Sequence, residues 1–160
     1  MFQLLCFIGL VVNSTLSLAS PVGVRTLKNN SNLKSENLSE QIFSPSQHVD
    51  CRWSEVSFES SKLDQLQFRR CNLRIINFHA ASLKNLDVHE TKMEKINFKD
   101  ADLRGSYWLR NSCLNCDFRG ADLRESFFLL NVLTDSLFDS KTQLPFDRVK
   151  AAKMGLVYVD

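Results

Sequence analysis

From Trp53 to Phe138, every fifth residue of the chain is apolar. The run is Trp53, Phe58, Leu63, Phe68, Leu73, Phe78, Leu83, Val88, Met93, Phe98, Leu103, Trp108, Cys113, Phe118, Leu123, Phe128, Leu133 and Phe138. An α-helix repeats its apolar face about every 3.6 residues and a strand every 2, so neither accounts for a step of five. Hydrophobic residues make up 44% of the chain, and eighteen such hits in a row would arise by chance on the order of once in a million trials. The residues two before these positions are mostly small or aliphatic, as at Cys51, Val56, Ser61, Leu66, Cys71, Ile76, Ala81, Leu86, Ile96, Ala101 and Ala121. The other three of each five are largely polar or charged. Self-similarity at a fixed short step points to a stacked repeat.

The clearest copies, "NFKDADLRGS" and "DFRGADLRES", resemble the pentapeptide-repeat family, whose unit reads roughly A-(D/N)-L-x-x. The resemblance covers residues 51–140. It implies an all-β fold, a right-handed quadrilateral β-helix in which four five-residue faces make one coil of twenty residues. The central residue of each unit and the one two before it then point inward. In that fold residues twenty apart stack in one column, and the columns here are chemically uniform. Phe58, Phe78, Phe98, Phe118 and Phe138 form one, Leu63, Leu83, Leu103 and Leu123 a second, and Ser61, Ala81, Ala101 and Ala121 a third. Phe68, Val88, Trp108 and Phe128 line the opposite face, which places the surplus of Phe (twelve, against two Tyr and two Trp). Residues 51–140 make about four and a half coils, a stack about 22 Å tall at roughly 4.8 Å per layer.

Such a stack leaves its core open at both ends and needs caps. In "LPFDRVKAAKMGLVYVD", Pro145 ends the repeat, Asp147 can N-cap, Arg148 to Met154 is good helix sequence, and Gly155 can stop it. Residues 141–160 are therefore expected to be a C-terminal cap helix and tail. Residues 20–50, rich in Asn, Ser and Glu and without a visible period, are expected to be a polar linker that tightens into an N-terminal cap. The first nineteen residues carry no charged side chain and hold an apolar run from Phe2 to Val12. That run is too short to span a bilayer and has the form of a secretory signal, with Ser17 and Ala19 as the small residues for cleavage after Ala19. The expectation is a secreted or periplasmic chain whose mature form has no membrane span.

Export changes the reading of the cysteines. Cys51 and Cys71 are twenty apart, one above the other in adjacent coils, at a separation a disulfide accepts. Cys113 and Cys116 form C-x-x-C without the second pair or the nearby His of a zinc site. A local disulfide or core thiols is the expectation for them; thiol–redox chemistry is an alternative that needs an accessible thiolate. His79 and His89 project from different faces and His48 falls in the linker, so no metal site is expected. The chain has no nucleophile elbow, phosphate-cradling loop or dinucleotide fingerprint. Outward Asp102, Asp117 and Asp122 are expected to pair with Arg104, Arg119 and Arg124 rather than do acid–base work. No enzymatic activity and no cofactor follow from these residues.

The best-known functional members of the family mimic DNA with an acidic rod and act on gyrase. Between residues 51 and 140, Asp/Glu and Lys/Arg number thirteen each. A neutral rod behind an export signal disfavours that alternative, and acids beside the basic columns disfavour direct nucleic-acid binding. The outer positions of the last coils turn apolar instead, at Tyr107, Leu109, Leu114, Phe127, Leu129, Leu130, Val132 and Leu137. A patch of that size is either covered by the cap helix and the "LVYVD" tail, the first expectation, or serves self-association or an unknown protein partner. The expected role is a rigid, non-enzymatic binding or structural module.

Overall fold

Each five-residue unit runs extended across one wall and then bends, and four units close a coil. In the computed structural model, which describes residues 16–17 and 23–160, the coils pair in parallel at a spacing of twenty residues. The expected signal segment lies outside the described residues, Leu16–Ser17 apart. On the first face Leu33, Trp53, Leu73, Met93 and Cys113 stack in register. The second is a ladder of Asn37, Ser57, Asn77, Asn97, Asp117 and Leu137, and the third one of Ile42, Lys62, Ser82, Asp102 and Asp122. The fourth aligns His48, Phe68, Val88, Trp108 and Phe128. The fold is an all-β, four-sided parallel β-helix.

It begins earlier than the sequence reading placed it. Leu33, Leu38, Phe43 and His48 continue the step of five toward the N-terminus and are all buried. Residues 31–50 thus form a further coil and are not a polar linker, so the stack exceeds four and a half coils. Composition hides this coil because its other inward places include Ser31 and Ser46. The Ser46 hydroxyl is partnered there by His48 Nε2 at 3.1 Å, whereas the Ser31 hydroxyl has no partner among the described residues and only its carbonyl is used, accepting from the Trp53 indole at 2.9 Å. Below this coil Val24–Leu27 pairs with Ile42–Phe43, and Leu27 joins the core at 0% exposure.

The bends share one backbone conformation. Every fifth residue from Asn30 to Asp135 has a positive φ, between 50° and 62° where it is not glycine, except at Pro45. Proline's ring forbids that conformation. An L-residue in the left-handed region costs roughly 1–2 kcal/mol, and the ladder offsets it, because each corner N–H donates to the coil above, as Arg70 does to the His89 carbonyl at 3.0 Å. At the Gly120 corner, φ +70°, an added Cβ would meet the Asp100 carboxylate, which would have to move aside.

Inside, the predicted Phe column is realised by stacking. Phe58, Phe78, Phe98 and Phe118 have centroids 5.4, 5.5 and 5.1 Å apart and ring planes within 14° of parallel, worth ~0.5–1.5 kcal/mol per pair beyond burial. Phe138 ends the column edge-on to Tyr158. A second inward column is polar in its upper half, where Thr91, Asn111 and Asn131 follow Cys51 and Cys71. The Asn111 and Asn131 amides donate to the Val88 and Trp108 carbonyls at 2.8 Å, and accept from the Thr91 and Asn111 N–H groups at 2.9 Å. Satisfied in this way, these amides fix the register of the coils they join.

The chain then closes its own end. Gln143 pairs onto the third face, with Leu123 N–H donating to its carbonyl at 2.8 Å. Leu133 N–H on the first face donates to the Met154 carbonyl at 2.6 Å. On the second, Leu156–Tyr158 pairs in parallel with Ser136–Phe138. Between these runs a helix, Arg148–Lys153, N-capped by Asp147, whose Oδ1 accepts from Lys150 N–H at 2.8 Å. Gly155 leaves it at φ +94°.

Among the corners Ile75 is the worst suited, a β-branched, exposed residue at φ 54°. Ile75→Asn should stabilise the protein by about 1 kcal/mol, read as a higher midpoint in urea unfolding; an unchanged or lower midpoint would show that the corners carry no such strain.

Candidate functional site

Outward side chains ladder just as inward ones do, so one coil's chemistry is repeated or contradicted directly by the next. On the second and third faces the ladders are charged and compensated. Arg104 grips Asp102 through Nε and Nη2 at 2.8 and 2.7 Å, and Arg124 grips Asp122 at 3.0 and 2.7 Å. Arg119 holds Asp117 in the same two-residue loop. The Arg hydrogen bonds hold the Asp102 and Asp122 carboxyls below the usual range; at Asp117 burial pushes upward, and the Arg119 side chain, its backbone N–H and the charges of Arg119 and Lys99 together outweigh it. These acids are committed to neighbours and have no reason to act as bases. Among the described residues no three His, Cys, Asp or Glu side chains gather as a metal site, and no helix is long and apolar enough to cross a membrane.

The fourth face is different because it changes character along its length. One outward column reads Gln47, Gln67, Asp87, Tyr107, Phe127, and its neighbour Val49, Arg69, His89, Leu109, Leu129. Apart from Val49, polar residues occupy the lower coils and apolar ones the upper. Tyr107 and Phe127 stack at 5.2 Å with planes 7° apart, and the His89 ring, itself 2.7 Å from Asp87, lies 5.4 Å from Tyr107. The apolar area turns the corner at Leu130, which is 65% exposed, onto Val132 and Leu114 of the first face. Phe127 is 50% and Leu129 43% exposed; Leu109 and Leu137 are half-buried.

The tail does not cover this wall. Residues Leu156–Tyr158 lie twenty residues on from Ser136–Phe138 and take the next place in that ladder, where Val157 tops Leu137. Backbone pairing along the stack outcompetes a fold back over the side, since it satisfies an otherwise open edge. The expected burial of the patch by the tail is overturned, and exposed Val149, Val157 and Tyr158 extend apolar surface onto the cap. Val157 and Tyr158 belong to the apolar "LVYVD" segment, whose hydropathy alone does not distinguish cover from surface.

The cysteines face inward and contribute nothing to the exposed wall. Cys51 and Cys71 stand one above the other with Cα atoms 4.6 Å apart, and Cys113 and Cys116 flank a corner at 6.0 Å; each pair is in disulfide contact. All four are at most 2% exposed, an arrangement that braces coils and presents no thiolate to solvent.

His48, assigned to a linker by the sequence reading, occupies the central inward position of the fourth face at 0% exposure. Its ring packs edge-on to Trp53 at 4.8 Å and its Nε2 meets the Ser46 hydroxyl at 3.1 Å. Burial lowers its pKa from an ordinary 6.5 to about 4. The five-residue step carried the signal, for 48 continues the numbering of 53 and 58.

A four-sided β-helix with compensated charge ladders, one apolar upper wall and a helical cap defines a repeat scaffold with a single distinctive surface. Comparison with known families agrees. A model of the pentapeptide repeat region matches residues 28–98, and one of pentapeptide repeats in eight copies matches residues 96–129. The chain belongs to the pentapeptide-repeat family. Among solved structures it is similar to the pentapeptide repeat protein Rfr23 from the cyanobacterium Cyanothece 51142, at 19% identity over 72% of this chain and 86% of that one, with a TM-score of 0.34. It is also similar to QnrB1, a plasmid-mediated fluoroquinolone resistance protein, at 18% over 69% of this chain and 59% of that one, TM-score 0.34. A third is a pentapeptide repeat protein from the Arabidopsis thaliana thylakoid lumen, at 20% over 75% and 74%, TM-score 0.30. No curated protein matches the chain in sequence.

Because His48 is held neutral in the fold, its contribution is complete above pH 6.5, drains away as pH falls, and is gone near pH 4. The unfolding free energy should drop by about 3 kcal/mol over that interval, whereas the Asp–Arg pairs weaken only at lower pH. In His48→Phe, denaturation midpoints measured across the same range should be nearly flat; an equally steep profile would assign the effect elsewhere.

Proposed function

We propose that this is an exported, non-enzymatic pentapeptide-repeat module that binds a protein partner through the apolar wall of its upper coils. The observation that carries the reading is the stacked Tyr107–Phe127 and Leu109–Leu129 ladder, exposed at all but half-buried Leu109 and continuous around the corner with Leu130, Val132 and Leu114. Contiguous apolar surface on an otherwise charge-compensated protein costs solubility and persists where it is used. A parallel β-helix has little freedom to rearrange, so such a wall offers a preformed surface and loses little entropy on docking. Export is supported by the uncharged apolar segment at residues 2–12 and by two cysteine pairs in disulfide contact. A gyrase-directed DNA mimic would need acidic faces, and the paired Asp–Arg ladders leave none.

Two measurements test this. Mass spectrometry of the protein from its native host should find an N-terminus at Ser20 in the exported fraction and both cysteine pairs oxidised; an intact Met1 with free thiols would sink the export reading. A photo-crosslinking residue placed at Phe127 or Leu114 should give a discrete protein adduct in that host, and one placed at Lys62 on the third face should give none. Adducts at all three positions, or at no position, would remove the wall as a specific docking surface.

A further inference from the structure

The cap closes three of the four faces by backbone pairing and leaves the fourth open. In the lower coils the corner N–H that ends the fourth face donates upward, Arg70 to His89, Glu90 to Leu109 and Arg110 to Leu129. The carbonyl that enters the face accepts from above, Leu66 from Asp87, Leu86 from Tyr107 and Ser106 from Phe127. In the last coil the same two places are held by Leu130 and Ser126, and Phe127–Leu129 is the end strand of its five-stranded sheet. The chain leaves the twenty-residue register in the turn at residues 139–142, so that Gln143 pairs twenty-one residues on from Asp122, and then goes into the helix; residues 147–149, twenty on from Phe127–Leu129, supply no next layer there. Side chains of the cap cover the core here instead, with Phe146 edge-on to Phe128 at 5.4 Å. Among the described residues the fourth face is thus the one whose upper edge takes no backbone pairing from the cap, and it is the face with the apolar wall.

The geometry points to this edge as the docking slot for one extended strand of a partner protein, about five residues long, with apolar side chains at alternate positions and an acidic residue beside them. This deepens the proposed function and rests on it. Backbone pairing would extend the ladder by one layer, and the strand's outward side chains would fall directly above Phe127 and Leu129 and continue their columns. The acidic residue follows from the cap. Lys150 Nζ stands 5.1 Å from the centre of the Phe146 ring that abuts this strand, and the helix carries Arg148, Lys150 and Lys153 against a single acid, the N-cap Asp147, whose Oδ1 accepts from the Lys150 N–H. The same charges argue against a second copy of the chain, since pairing this edge with itself would bring two such basic caps together.

The probe is a synthetic five-residue peptide, Thr-Val-Thr-Val-Glu, blocked at both ends, added to the full chain. Amide hydrogen exchange at Phe128 and Leu130 should slow at least about ten-fold with peptide bound, while exchange in the lower coils stays constant. A peptide with proline in place of the central Thr, and one ending in Lys, should each bind at least about ten-fold more weakly by fluorescence anisotropy. Leu129→Lys should abolish binding while leaving the circular dichroism spectrum and the unfolding midpoint intact. Unchanged exchange at Phe128 and Leu130, or equal binding of the proline peptide, would overturn strand addition. Concentration-dependent dimerisation that Leu129→Lys abolishes would give the slot to a second copy and overturn the partner strand. A Phe127 crosslink that survives a failed peptide test would leave the proposed function standing without this slot, and loss of both would remove the two together.

Discussion

Everything in this molecule depends on the parallel backbone ladder between residues twenty apart. The ladder sets the height of a layer, and the height of a layer brings identical positions within ring-stacking distance. Phe58 to Phe118 stack at just over 5 Å because the ladder puts them there. It also makes the left-handed corners tolerable, since each strained residue donates its N–H to the coil above. Without the ladder, nineteen non-glycine residues at positive φ would be hard to account for. With it, one local cost is repeated at each corner and one cooperative stack repays it.

The same rule explains why the surface is informative. In a globular fold neighbouring outer residues come from unrelated parts of the chain. Here an outer column is read directly from the sequence, so any break in its chemistry stands out. The fourth face breaks between His89 and Leu109, where polar gives way to apolar. The break coincides with the end of the stack, where one backbone edge is left without pairing from the cap. An apolar wall beneath an open edge is a combination that soluble β-proteins ordinarily avoid.

Polar residues in the core follow from the geometry as well. Each coil presents carbonyls toward its interior at the corners, so Ser, Thr and Asn can be buried with partners. The Asn111–Asn131 pair satisfies the backbone on both sides of itself. His48 is less well served, with one ring nitrogen on Ser46 and the other without a partner among the described residues. Its neutral form is the consequence.

How much could be read without coordinates differs by region. The step of five from Trp53 to Phe138 determined the fold, the facing of the Phe and Leu columns and the two cysteine neighbourhoods, because periodicity in a solenoid is the structure. Residues 31–50 escaped that reading, since a histidine and serines held inward places and masked the period. The extent of the apolar wall was legible from column arithmetic, as Tyr107 under Phe127 and Leu109 under Leu129. Whether that wall was covered was not, because cover depends on where a non-repeating tail docks. The tail chose the register of Ser136–Phe138 over the side of the stack, as an open backbone edge attracts a strand more strongly than a flat apolar surface does. The repeat by itself determined the coil; only the tertiary structure decided which three of its upper edges would be closed and which would stay open.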